Sequence, residues 1–218
     1  LTPLELFPAA INDTGQIAGA ASIDDWYHAV LWQGGVTTDL GLGYGVASGI
    51  NASGQVIGHD VVGTPFIWTP NVPNGAIGTS NTLESLFGPS LSGAFESVTA
   101  SCLNLNNAGH VVGKSVYISR GGWSEGGHDI QRARATLWAG GAPESLSDQV
   151  LPSLNLIAAR AINDSGQITA HRDINAFEIS DYPVLLTPIN QPEMSIGDVT
   201  VSEGHAGTTA ANFTVTLS

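Results

Sequence analysis

The stretch Ile-Asn-Asp-Thr-Gly-Gln-Ile-Ala-Gly at residues 11–19 returns as Ile-Asn-Asp-Ser-Gly-Gln-Ile-Thr-Ala at 162–170. Two looser copies, INASGQVIG (50–58) and LNNAGHVVG (105–113), lie between them. Asn12, Asn51, Asn106 and Asn163 coincide, as do Gly15, Gly54, Gly109 and Gly166. The glycine-to-glycine spacings are 39, 55 and 57 residues (54−15, 109−54, 166−109). A catalytic motif has no need of four copies, whereas a stacked or ring-arranged unit does, and such periods belong to propellers, solenoids and arrays. A second block follows each copy: HAVLW (28–32), TPFIW (64–68), RATLW (134–138) and NAFEI (175–179). This aligns Trp32, Trp68 and Trp138, and puts Ile179 in their place in the last copy.

Each block spells local structure. An apolar stretch meets Asn-x-x-Gly and alternation then resumes, which reads as a β-hairpin: the Asn side chain mimics a backbone turn and Gly supplies φ > 0. HAVLW-QGG-VTTDLG reads as another strand pair around a Gly-Gly turn. Two hairpins per copy make about four strands, the content of one propeller blade. Sustained helical periodicity with caps is missing, so little helix is expected, at most one short piece over 79–88. The expected fold is all-β: a propeller-like repeat domain of four blade-like units over residues 1–188, a linker at 189–193 and a short β segment at 194–218. An insertion at 119–132 and a long connection at 69–93 stretch the period, and lengthened loops are where a repeat scaffold places specific contacts. Leu1–Pro8 matches the strand that precedes each turn; it would complete the last blade and close the ring, hiding exposed sheet edges. An open stack or a fragment of a bigger ring is the rival arrangement.

Composition narrows the partners. The formal net charge is −13, with Lys114 the single lysine among six basic residues. Such a surface cannot neutralise phosphates, so nucleic acid and anionic lipid are not expected partners. The sequence has no apolar run near the roughly 18 residues a transmembrane helix needs, so membrane insertion is not expected. The acidic, lysine-poor character, rich in Gly, Thr, Ser and Asn, suits an extracellular or halotolerant protein. Leu1 opens the chain without a basic leader region, which leaves secretion open. Cys102 stands alone, so an intrachain disulfide and a thiolate metal cluster are excluded, and its alternating context reads as a buried small hydrophobe.

The residues of the first copy resemble the bacterial extracellular HAF repeat: Asn12, Asp13, Gly15, Gln16 and Gly19, then His28, Ala29, Leu31 and Trp32, then Asp39, Leu40 and Gly41. Val30 stands where that pattern has Phe, and the fourth copy restores it in Asn175-Ala176-Phe177. The resemblance spans residues 4–187 and implies a propeller-like, secreted or surface-exposed bacterial protein with no defined reaction. The segment MSIGDVTVSEGHAGTTAANFTVTLS (194–218) is similar to the opening strands of a Calx-beta domain, an Ig-like sandwich. That second resemblance implies calcium as a candidate ligand, with Glu203 and Asp198 as the candidate metal-binding residues.

Trp32, Trp68 and Trp138 each end an apolar strand and read as core, whereas Trp26, Tyr27 and Trp123 read as aromatics free to stack on a glycan. Asp13 and Asp164 read as turn-forming carboxylates, since one per turn falls short of the six to eight oxygens calcium takes. Turn and strand chemistry explains the sequons at Asn12, Asn51, Asn163 and Asn212, with glycosylation a secondary reading. Six histidines are scattered without metal-ligand spacing, and nucleophile-elbow, Ser-x-x-Lys and His-Glu-x-x-His motifs are missing. The chain therefore reads as a non-enzymatic structural or adhesion module, a subunit of a surface assembly that pairs with other copies or surface proteins, its C-terminal strands donated to a neighbour. A cofactor is not expected, calcium apart. A carbohydrate-binding propeller is the alternative, and a hydrolase with its site in the central channel is a third reading.

Overall fold

In the computed structural model the described residues are 5–88, 96–119, 130–150, 154–173, 182–189, 194–196 and 215–217. The chain divides into two units, Leu1–Thr187 and Pro188–Ser218. Strand dominates the described residues, and none of the described helices is long and apolar enough to cross a membrane.

The first unit is a run of antiparallel meanders. Strands β1 (Phe7–Ile11), β2 (Ile17–Ile23), β3 (Trp26–Gln33) and β4 (Val36–Ile50) pair in order, followed by β5 (Val56–Asp60), β6 (Pro65–Pro70) and β7 (Gly78–Thr82). The first half of β4 pairs with β3 and its second half with β5, so one strand closes the first repeat and opens the second. Gly41 and Gly43, at φ +74° and +70°, lie between Asp39 and Tyr44, which both pair with β3, and let the strand bend before it pairs with β5. The third repeat is β8 (Glu96–Leu105), β9 (Val111–Ser119), β10 (Ile130–Trp138) and β11 (Glu144–Ser145), followed by the one-turn helix α1 (Leu146–Gln149). The fourth is β12 (Asn155–Ile162), β13 (Ile168–Asp173) and β14 (Tyr182–Leu186). The short helix expected within 79–88 is instead the end of β7 and a turn, because that segment hydrogen-bonds to β6.

Register exposes the repeat more clearly than composition. Ile17 faces Trp32, Val56 faces Trp68 and Val111 faces Trp138. In the fourth repeat Ile168 faces Leu186, so Leu186 holds the register position of the tryptophans. The alignment of Ile179 with them is thereby corrected: the strand beside β13 is Tyr-Pro-Val-Leu-Leu, whose apolar alternation runs on past the NAFEI block, and Ile179 itself lies outside the described residues. The first strand of every repeat carries a bulge three residues before its turn Asn, at Ala9, Ser48, Leu103 and Arg160. A bulge bends a strand and sharpens its twist.

Alternate residues of each middle strand face opposite neighbours. Ala18 and Leu31 of the first repeat pack with Val56 and Trp68 of the second. Ile57 of the second packs with Val111 and Trp138 of the third. Val112 of the third packs with Ile162 and Ile168 of the fourth. Three cores thus lie between repeats. The fourth apolar face, around Ala21, Val30 and Trp32 on the first repeat, is covered by Leu6 alone among the buried residues outside its own strands. Among the described residues β1 pairs only with β2, and no strand of the fourth repeat pairs with the first. Burying one Trp removes about 150–250 Å² from water, worth several kcal/mol at roughly 25 cal/mol per Å².

In the second unit β15 (Met194–Ile196) and β16 (Val215–Leu217) pair antiparallel, Met194 facing Leu217. A two-stranded hairpin alone is marginal in water.

Candidate functional site

The four Asn-x-x-Gly turns build one structure. Asn12 Oδ1 accepts the Gln16 N–H at 3.0 Å, the Thr14 N–H at 3.2 Å and the Thr14 hydroxyl at 2.8 Å. Its Nδ2 donates to Gln16 Oε1 at 2.9 Å and, across to the next repeat, to the Asn51 carbonyl at 3.1 Å. Asn51 repeats the pattern, donating to Gln55 Oε1 at 2.8 Å and to the Asn106 carbonyl at 3.0 Å. Asn106 in turn donates to the Asn163 carbonyl at 3.1 Å. A ladder of amides therefore links all four repeats. Only Asn has an acceptor and two donors at this length; Asp lacks the donors. Asn163 makes the same local turn and donates to Gln167 Oε1 at 2.8 Å, with no onward rung among the described residues.

A second ladder runs one residue on. The Ala52 N–H donates to Asn107 Oδ1 at 2.9 Å, and the Asn107 N–H to Asp164 Oδ1 at 2.8 Å. The turn glycines sit beneath the neighbour's glutamine. A Cβ on Gly54 would lie 2.9 Å from Gln16 Oε1, and one on Gly109 would lie 2.7 Å from Gln55 Oε1, whereas one on Gly15 would meet nothing within 4 Å. All four turn glycines also have positive φ, between +75° and +83°.

The turn asparagines and the residues on either side of them line a shared cavity of about 330 Å³. Its titratable groups are Asp13 and Asp164, both exposed, and Asp164 already accepts two hydrogen bonds from Asn107. No group of three His, Cys, Asp or Glu side chains placed to hold a metal occurs among the described residues. A second cavity, about 490 Å³, opens between repeats two and three and is lined by Gln55, Thr69, Asn81, His110 and Trp138 among others. The Trp138 indole N–H donates to the Glu84 carbonyl at 2.8 Å, which fixes one wall.

The exposed aromatics concentrate on the first repeat. Trp26 stacks on Tyr44 with ring centroids 4.9 Å apart and planes 28° apart, and Tyr44 also meets the His28 ring edge-on at 5.5 Å. His28 Nδ1 lies 2.8 Å from Asp39 Oδ2, so the His and Asp of the first copy meet across β3 and β4. Tyr27, next along the strand, faces the other way and packs edge-on against Phe7 at 5.4 Å. The structure thus splits Trp26 from Tyr27 and gives each a partner, Tyr44 and Phe7, that the sequence reading did not single out. Tyr44 had a signal, since the strand register sets it opposite His28. Trp123, Asp198 and Glu203 lie outside the described residues.

Several further residues have structural settings. Asp24 and Asp25, with φ +49° and +68°, form the two-residue turn between β2 and β3, the conformation such a hairpin loop demands. The long connection after Trp68 returns Asn74 to the turns: its carbonyl accepts from Gln16 Nε2 at 3.0 Å and its N–H donates to the Ser53 carbonyl at 2.8 Å. Burial pushes the Cys102 thiol up to about 11 from 9.0. The thiol packs at the interface of repeats two and three, 3.2 Å from the Gly58 carbonyl. No protein-family model, curated protein or solved structure matches the chain.

Proposed function

We propose that this chain is a non-enzymatic structural or adhesion module that works outside the cell, built from four HAF-like, propeller-blade-like repeats and followed by a Calx-beta-like segment. The observation that carries this reading is the use made of the recurring residues. Asn12, Asn51, Asn106 and the glutamines beside them direct their hydrogen-bonding groups to their own turns and the next repeat. What recurs in the chain is thus an instruction for stacking. The surface between those residues varies from copy to copy, as a scaffold's does. The tail strands β15 and β16 supply a further element able to pair with a neighbour through their outer edges.

Glycan binding is the second reading, favoured by one specific observation: Trp26 and Tyr44 are stacked while 53% and 43% exposed. Such a pair presents an aromatic face of the kind that stacks on a sugar. A glycan array probed with the full chain separates the two. Silence on the array supports the structural module. Saturable binding lost in Trp26→Ala moves the assignment to a lectin, and turnover of any bound glycan would overturn both.

A further inference from the structure

The turn glutamines of the first two repeats hold equivalent positions in unlike surroundings. Gln16 Nε2 has two hydrogens and two acceptors, Gln33 Oε1 at 3.2 Å and the Asn74 carbonyl at 3.0 Å. The Asn74 N–H donates in turn to the Ser53 carbonyl at 2.8 Å, so one residue of the long connection bridges the first two repeats. Gln16 is fully buried beneath that bridge. Gln55 stands at the same place one repeat on. Its Nε2 donates to Thr69 Oγ1 at 3.3 Å, and Thr69 follows Trp68 as Gln33 follows Trp32. The other amide hydrogen of Gln55 has no acceptor among the described residues, and the side chain is only half-buried. The counterpart of the Ser53 carbonyl is that of Ala108, an exposed residue.

Where Asn74 would have its counterpart, the described residues leave the cavity of about 490 Å³, and Gln55, Thr69, Ala108 and Gly109 all line it. The cause is loop length. Residues 69–77 separate Trp68 from β7, whereas only 139–143 separate Trp138 from β11, and Ala139, Gly140 and Gly141 line the cavity rather than fill it. The turn glycines record the same difference. A Cβ on Gly54 would come 3.1 Å from the Asn74 Cα, while one on Gly109 would have only Gln55 atoms as its nearest neighbours. Ile67, Leu83 and Trp138 give the cavity an apolar side opposite this polar edge.

The segment that fills the first of these two sites shows which chemistry fits the second. Val72-Pro73-Asn74-Gly75 is a β-turn closed by the Gly75 N–H on the Val72 carbonyl at 2.9 Å. Pro73 at its second position and Asn74 at φ +59° in its third are the type II pattern. Such a turn spends its first carbonyl and last N–H on itself, which leaves the N–H and carbonyl of its third residue free to bind. We propose that the cavity beside Gln55 binds an exposed type II turn of a partner protein, with Pro at the second position and Asn or Gly at the third. Gln55 Nε2 donates to the carbonyl of that third residue and the Ala108 carbonyl accepts its N–H, the pair of bonds that Gln16 and Ser53 make to Asn74. This site gives the adhesion reading its partner class and rests on that reading.

The test follows the amide resonances of the full chain by NMR while a cyclic peptide holding Val-Pro-Asn-Gly as its turn is added. Saturable shifts are expected at the Gln55 side-chain amide, Gly109 and His110, with Gln16 and Gly54 unmoved because Asn74 already covers them. Methylating the Asn N–H of the peptide removes the bond to Ala108 and should weaken binding about tenfold. Gln55→Glu keeps the oxygen that accepts from Asn51 but has no N–H to give, so it should abolish binding. Unchanged amide positions in the fourth repeat show that this variant is folded. N-acetylglucosamine, which carries an N–H and a carbonyl on a sugar, is expected to leave these resonances in place. Four results would overturn the proposal: no saturable shift with the peptide, undiminished binding of the methylated peptide, binding retained in Gln55→Glu, or shifts at Gln55 with the sugar and not the peptide. The first three leave the module reading untouched, since the glycan array decides it; the fourth would register on the array too, as binding that survives Trp26→Ala.

Discussion

Asn51 and Asn163 make the same turn in different surroundings. Each accepts from the backbone four residues on at 2.9 Å and donates to a glutamine oxygen at 2.8 Å. Yet Asn51 is 5% exposed beneath its neighbours and Asn163 stands in solvent. The turn is local; the burial is supplied by the next repeat. An interior repeat thus draws stability from two interfaces and a terminal one from a single interface, the behaviour of a one-dimensional array. The molecule's middle and its ends differ in energy more than in form.

That contrast can be broken in several places. The largest effect is expected at the tryptophans. Trp68 and Trp138 fill inter-repeat cores, and Trp68→Ala or Trp138→Ala should cost about 3–5 kcal/mol. Trp32, half-buried against Leu6, Ala21 and Val30 on the outer face of the first repeat, should cost about half as much on chemical denaturation. Equal losses at all three would mean that the outer face of the first repeat is packed as tightly as the cores between repeats. Asn51→Ala and Asn106→Ala strand buried donors and acceptors and should cost about 2–3 kcal/mol, against about 1 kcal/mol for Asn163→Ala.

Smaller and sharper is the glycine comparison. Gly15→Ala and Gly54→Ala both force a side chain into positive φ, at about 1 kcal/mol each. Only at Gly54 does the methyl also meet Gln16 Oε1 and the Asn74 backbone, so thermal unfolding should separate the two by a further ~1 kcal/mol. The smallest perturbation uses Cys102 as a reporter of the second inter-repeat core. With its pKa raised from 9.0 to about 11 by burial, its thiolate fraction at any pH below 9 is about a hundredfold lower than that of an open thiol. Folding favours the protonated thiol, so this contribution is intact below pH 9 and is lost as pH rises from 9 to 11. Alkylation at pH 8 should therefore be slow in the native chain and fast in denaturant. Fast native alkylation would show that repeats two and three open readily.

The sequence carries the hairpins openly because their cues are local: Asn and Gly at fixed offsets, with apolar alternation on both sides. It carries the rungs of the ladder poorly. Each rung ends on a backbone carbonyl, which every residue owns, so no letter records it. The bulges at Ala9, Ser48, Leu103 and Arg160 are equally silent, since the backbone makes them and four unrelated side chains occupy the site. Leu186 went unrecognised as the counterpart of the tryptophans because a shared register position is not a shared residue type. Asn74 was hidden for a different reason. It lies in a long connection whose return to the turns of the first two repeats depends on tertiary contacts.

The central claim is that identical turns are protected by their neighbours, and amide hydrogen exchange at four backbone N–H groups tests it most directly. Those of Gln16, Gln55, His110 and Gln167 each donate to the turn Asn Oδ1, at 3.0, 2.9, 2.9 and 2.9 Å. Gln16, which is fully buried, should exchange as slowly as Gln55 and His110, whose turns lie beneath a neighbouring repeat, and Gln167 should exchange fastest. Equal protection at all four would contradict the account.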